Sequence, residues 1–242
     1  MTDSAPAAAP APLPSLPVRV IGILTAPRET FGGVVANPRW FGMLALTALV
    51  TALGLWAFLS TEVGQQAVVD QGVATLESWG RTVDDEAYAA IERQAQIARY
   101  VNPLSVLVLA PIITAVISAI LLGVFALLGG NASFKQVMAV VTHAGPVSML
   151  QQVFSLPLNY MRGSASSPTN LGVFFPMVAD DSFLGSVLGM IDLFIVWWLV
   201  VLAIGLSVLF KRPTRSIVIA LALVYAVIAL AIAGIKAAVG GS

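Results

Sequence analysis

Two side chains stand where they could do chemistry away from water, Asp192 and His143. Asp192 is the one ionisable residue in the 28-residue run 183–210. A carboxylate near the middle of a spanning helix costs about 2.5–3.5 kcal/mol on insertion scales. Its apolar neighbours offset that for insertion, but not for facing lipid, so Asp192 is expected to face a helix bundle, protonated or paired. Two readings are open: a proton, ion or substrate site, or a buried polar contact that fixes helix packing. His143 is the only histidine. With about 1.5 Å rise per residue, it lies roughly 10 Å from the inner boundary of its span and Asp192 roughly 13 Å from the outer boundary of its own. In a core about 30 Å thick, those depths differ by a helix turn or two. An Asp192–His143 pair is one expectation; a bond from His143 to a nearby backbone carbonyl is the other.

Other chemistry has no carriers. Zero cysteines exclude disulfides and thiolate metal sites, and one histidine excludes a multi-histidine metal centre within the chain. No HExxH, GxSxG or P-loop pattern occurs, and a second intramembrane acid for a two-aspartate protease is missing. No cofactor is expected, and the chain is read as non-enzymatic. Zero net charge gives none of the basic footprint of a nucleic-acid binder.

The elements that must hold these residues are set by composition. At 58% hydrophobic and 10% charged, with mean hydropathy +0.93, the chain has more apolar surface than a soluble domain can hide. Five stretches have spanning length: 40–60, 104–128, 136–156, 183–210 and 216–235. In lipid the backbone must satisfy itself, so the fold class expected is all-α, a multi-pass protein of five transmembrane helices. The third stretch is the weakest, because it carries His143 and Pro146. Gly185 and Gly189 form a small-xxx-small step beside Asp192, and Ala119 with Gly123 repeats it, both expected to let helices approach closely. Gly145 and Pro146 are the other packing candidates. Trp40 fits an interfacial anchor, and Trp197 and Trp198 fit packing within a span.

The remaining segments are polar or mixed. Residues 1–17, mostly Ala, Pro and Ser, are expected to be disordered. Residues 18–39 are expected to form one or two short helices along the membrane surface, broken near Ala26-Pro27. The polar stretch 61–103 holds seven acids, Glu62, Asp70, Glu77, Asp84, Asp85, Glu86 and Glu92. Its later half reads as a helix capped by Asp84 or Asp85 and ended by Pro103. The connection 157–182, rich in Gly, Ser, Pro and Asn, is expected to be irregular. With the N-terminus inside, seven basic residues lie inside (Arg19, Arg28, Arg39, Lys135, Lys211, Arg212, Arg215) and five outside. That bias predicts a cytoplasmic N-terminus and an extracytoplasmic C-terminus in an inner membrane.

The order of parts resembles the Yip family of integral membrane proteins (Ypt/Rab-interacting proteins), in its bacterial branch. Four pieces carry the resemblance: LTAPRETF at 24–31 followed by NPRW at 37–40; GGNASFKQ at 129–136; HAGP at 143–146; and IDLFIVW at 191–197. The resemblance implies a five-helix membrane domain over 40–236 with a cytoplasmic N-terminus. Eukaryotic members bind prenylated Rab GTPases, and no residue here matches a motif for that activity. The partners expected are the lipid bilayer and other membrane proteins, with homo- or hetero-oligomers left open. The function expected is membrane organisation or partner binding; the alternative is a small transporter or channel-like protein using Asp192 and His143.

Overall fold

The computed structural model describes residues 13–179 and 182–240. The Ala/Pro-rich tail thus lies outside the described residues up to position 12, as do Asp180 and Asp181. The described chain is helical throughout, apart from turns and connections. Ten α-helices run in order: α1 (Leu16–Thr25), α2 (Pro27–Ala36), α3 (Phe41–Leu59), α4 (Glu62–Ser78), α5 (Asp85–Leu127), α6 (Phe134–His143), α7 (Pro146–Arg162), α8 (Phe183–Met190), α9 (Leu193–Phe210) and α10 (Thr214–Gly240). A 3₁₀ turn, Leu171–Phe174, interrupts the connection between α7 and α8. Among the described residues, four helices are long and apolar enough to cross a membrane: α3, α5, α9 and α10.

Local sequence explains most helix starts. Thr61, Asp84, Ser133, Ser182 and Asp192 each accept a hydrogen bond from a backbone N–H in the first turn of the helix that follows. These bonds satisfy donors that a helix start leaves without partners. Ser133 and Gln136 complete a reciprocal capping box at α6. α1 and α2 meet at Ala26, where Pro27 supplies the first residue of the second helix. α7 ends on Gly163 in the left-handed region (φ 59°), and α9 ends on Lys211 in the same region (φ 53°).

Several expected boundaries are corrected. The polar stretch 61–103 is helical in both halves, as α4 and the start of α5. α5 continues through Pro103 and Pro111 for 43 residues, so Pro103 does not end it. Pro157 likewise lies inside α7, which runs to Arg162. The stretch 136–156 is not one helix but two, α6 and α7, joined at Ala144-Gly145. The run 183–210 is also two helices, α8 and α9, separated by Ile191 and Asp192 in extended conformation. That run would extend about 42 Å as one helix, longer than a bilayer core of about 30 Å, and it breaks where a carboxylate can cap.

The core lies where α2, α6 and α9 meet. Ile23, Phe31, Val34, Val137, Val140, Ala203 and Leu206 are fully buried there. Residues 18–36 therefore put Ile23, Phe31 and Val34 into the protein, while Val18 and Ile21 stay exposed. Gly205 makes this packing feasible, since a Cβ at that position would meet Val140 Cγ1 at 2.6 Å and the Phe31 ring at 2.8 Å. A second small core, Phe58, Leu59, Ala67 and Ala98, seals α4 and α5 against the end of α3.

Contacts give the helix directions. Thr47 faces Gly145, and Gly54 faces Leu156 and Gln152. Numbering rises on both helices, so α3 and α7 run parallel. The rings of Phe125 and Phe210 stack at 4.2 Å, and Arg212 donates to the Leu128 carbonyl. The ends of α5 and α9 thus share one face of the bundle. Leu104, Val108, Ile112, Val116 and Ile120 on α5, with Leu223, Val224 and Val227 on α10, are exposed. A membrane satisfies such faces where water does not.

Candidate functional site

Asp192 is 3% exposed and sits in the break between α8 and α9. Its Oδ1 accepts from the backbone N–H groups of Phe194 (2.8 Å) and Ile195 (3.3 Å), and from Gln151 Nε2 (3.3 Å). Its Oδ2 accepts from the hydroxyls of Thr169 (2.7 Å) and Ser167. Five donors fill the acceptor capacity of one carboxylate, about four lone-pair sites. Residues 169–171 close the break on its other side. Leu171 N donates to Ile191 O (2.8 Å), and Leu193 N donates to Thr169 O (3.2 Å). Asn170 and Asp192 form an antiparallel bridge. Tyr225 of α10 donates its hydroxyl to Met190 O, the last residue of α8. Irregular backbone at a helix break is tolerated where protein covers it, and here a connection strand and α10 do so.

His143 is fully buried at the end of α6. Arg19 Nη1 lies 2.8 Å from Nε2, and Ala139 O lies 2.7 Å from Nδ1. A guanidinium can only donate, so Nε2 is the acceptor and Nδ1 carries the proton. Both ring nitrogens are then satisfied by a neutral imidazole. Arg19 itself is 7% exposed, and its Nε has no partner among the described residues. Burial, and then the charge of Arg39, push the Arg19 guanidinium below its ordinary pKa. Beside this contact, Arg28 Nη2 donates to Thr214 Oγ1 (2.8 Å) and Ser207 Oγ (3.3 Å), tying α2 to α9 and α10.

The structure does not bring Asp192 and His143 together as hydrogen-bond partners. The expected pair is replaced by two separate networks: Asp192 with α7 and the 167–169 segment, His143 with α1. The carbonyl bond that stood as the other expectation for His143 is present, to Ala139. The packing candidates divide. Gly145 is a true close approach, since a Cβ there would meet Thr47 Oγ1 at 2.5 Å and Thr142 O at 2.9 Å. Pro146 is buried as the first residue of α7, where its missing N–H is harmless. Gly185 is buried and donates its N–H to Ser182 Oγ at 2.9 Å. Gly189 faces Gly172 backbone to backbone: a Cβ on Gly172 would lie 3.6 Å from Gly189 Cα.

Sequence reasoning missed Arg19, Gln151, Ser167, Thr169 and Gly205. For Arg19 a signal existed, a lone arginine inside the apolar run VRVIGIL. Ser167 and Thr169 lie in a Ser-, Pro- and Gly-rich connection, and nothing local points them at Asp192. Among the described residues no cluster of His, Asp or Glu could hold a metal ion.

The family model of the Yip1 domain matches residues 21–235. The curated proteins and the solved structures contain no match to the chain.

Proposed function

This chain belongs to the Yip1 domain family, and from that premise we propose that it is a non-enzymatic component of a bacterial inner membrane that organises the membrane or binds protein partners within it. The observation that carries the reading is the state of Asp192. A catalytic or transported charge needs a free face, whereas this carboxylate is filled by donors that hold two helix ends and a connection together. His143 is engaged in the same way, through both nitrogens. The exposed apolar faces of α5 and α10 supply the surface that lipid or a neighbouring helix would cover.

The same reading gives five crossings: α3, the later part of α5, α6 with α7 as one broken crossing, α8 with α9, and α10. The parallel course of α3 and α7 supports it, because the first and third crossings of such a chain run in the same sense. The shared face at the ends of α5 and α9 supports it for the second and fourth. The bias of basic residues supports a cytoplasmic N-terminus and a C-terminus outside. Single cysteines test this without background, as the chain has none. Ser166→Cys should react with a membrane-impermeant maleimide on intact cells, and Asn131→Cys only after permeabilisation; the reverse pattern overturns the orientation.

A second reading, a small transporter, draws support from the two interrupted helix pairs, since broken helices line binding sites in many transporters. Crosslinking in native membranes with mass spectrometry, run on wild type and Asp192→Asn, separates the two. Partners retained by the variant favour organisation. Solute or proton flux in liposomes that is lost in the variant favours transport.

A further inference from the structure

A cleft of about 300 Å³ opens between the end of α3, α4, the first part of α5 and the later half of α7. It is small for a ligand site, but within the range of such pockets. Its apolar wall is Leu55, Phe58 and Val68; its polar wall is Gln71, Asn102, Gln151, Gln152 and Asn159, with the hydroxyls of Ser155 and Ser167. No charged side chain lines it. Two of these residues are unexpected in an empty packing gap. Ser155 and Asn159, one turn apart on α7, are each 8% exposed, and Ser155 Oγ and Asn159 Oδ1 have no hydrogen-bond partner among the described residues. A buried polar atom without a partner costs about 1–3 kcal/mol, so two on one wall mark a place where hydrogen bonds are to be made.

The chemistry of the wall selects the ligand. Gln71, Asn102, Gln152 and Asn159 each offer a donor and an acceptor side by side, and the Ser155 hydroxyl can act as either, while Ser167 and Gln151 already donate to Asp192. A group that donates and accepts at every position, a polyol, matches that wall. A phosphate, a carboxylate or an ammonium would be desolvated with no opposite charge to meet it. The volume suits one ring, and the Phe58 edge of the wall offers it an apolar face. We propose that this cleft binds a neutral hexose-sized sugar, free or as the headgroup of a glycolipid. The site stands apart from the organising role proposed above, and neither depends on the other. Gln151 belongs both to the cleft and to the Asp192 network, so occupancy is felt at the α8–α9 break.

The test uses the full chain in nanodiscs prepared without sugar-based detergent. In one arm methyl glucoside is titrated into phosphatidylcholine discs. In the other, glucosyl diacylglycerol replaces part of the phosphatidylcholine. The readout is the thermal unfolding midpoint. The expected result is a saturable rise in one arm, which identifies the source, and binding about tenfold weaker in Asn159→Leu, which loses the hydrogen bonds of one carboxamide. Without ligand this variant should melt no lower than wild type, because it removes an unpartnered oxygen. Ser155→Ala carries the same test should Asn159→Leu fail to fold. The proposal is overturned by no rise in either arm, or by equal rises in wild type and the variants. It is also overturned if phosphatidylglycerol, an anion, raises the midpoint through Ser155 and Asn159.

Discussion

Replacing Asp192 by alanine removes one side chain and disturbs four segments of the protein. The cap on α9 is lost, which costs about 1 kcal/mol. Gln151, Ser167 and Thr169 lose their acceptor at a site that is 3% exposed, and each buried donor left alone adds about 1–3 kcal/mol. Ser167 and Thr169 lie 3.1 Å apart and can turn to one another. That leaves about two orphaned donors and a total loss of about 3–7 kcal/mol, in the range reserved for broken buried networks. Asp192→Asn is the informative contrast. Its Oδ1 keeps the cap on Phe194 and Ile195, and its amide can donate to the two hydroxyls once they rotate. Its expected cost is about 1 kcal/mol. Equilibrium unfolding in mixed micelles, titrated with dodecyl sulfate and followed by tryptophan fluorescence, measures both. An alanine variant within about 0.5 kcal/mol of wild type would falsify the capping account. So would an asparagine variant as unstable as alanine, because the charge rather than the geometry would then be what matters.

Three further outcomes follow from other contacts. In a double-mutant cycle, Arg19→Leu and His143→Ala should show a coupling of about 1.5–3 kcal/mol, since either single change strands a buried partner; additive effects would mean the 2.8 Å contact contributes nothing. Gly205→Ala should destabilise by about 1–3 kcal/mol, because the new methyl meets Val140 and Phe31 inside 3 Å; an unfolding midpoint equal to wild type would show that α2 gives way without cost. Gly145→Ala should lower the midpoint as well, and Thr47→Ala should restore part of that loss by relieving the 2.5 Å approach, whereas no rescue would place the strain at the Thr142 carbonyl.

The sequence disclosed the membrane helices because lipid demands long apolar runs, and no other arrangement offers them the same environment. It disclosed the break at Ala26 because Pro27 writes it into the chain. It hid the break at Asp192, because Met190, Ile191 and Leu193 read as uninterrupted span. The competing signal was present in the excess length of the run and in the capping preference of Asp. Pro103 misled in the other direction: proline lowers helix stability, yet α5 passes through it, supported by α3 and α4 alongside. The carbonyl partner of His143 was legible in the sequence, but the distant partners of Asp192 and His143 were not. Both networks join residues far apart in the chain, and depth along a span says nothing of which face a helix turns to its neighbour.

The docking of α2 also has a bearing on the order of assembly. Its helix is made well before the helices it packs against. Yet Phe31 packs on Gly205, and Arg28 reaches Ser207 across a sequence separation of 179 residues. Arg19 waits in the same way for His143, 124 residues later. These two helices thus wait on partners made much later, and closing so long a loop is slow relative to local helix formation. Until α6 and α9 are both in place, Ile23, Phe31 and Val34 lack the helices that cover them in the folded core. During that interval the segment is an apolar, arginine-bearing strip, which the membrane surface or a chaperone would shelter.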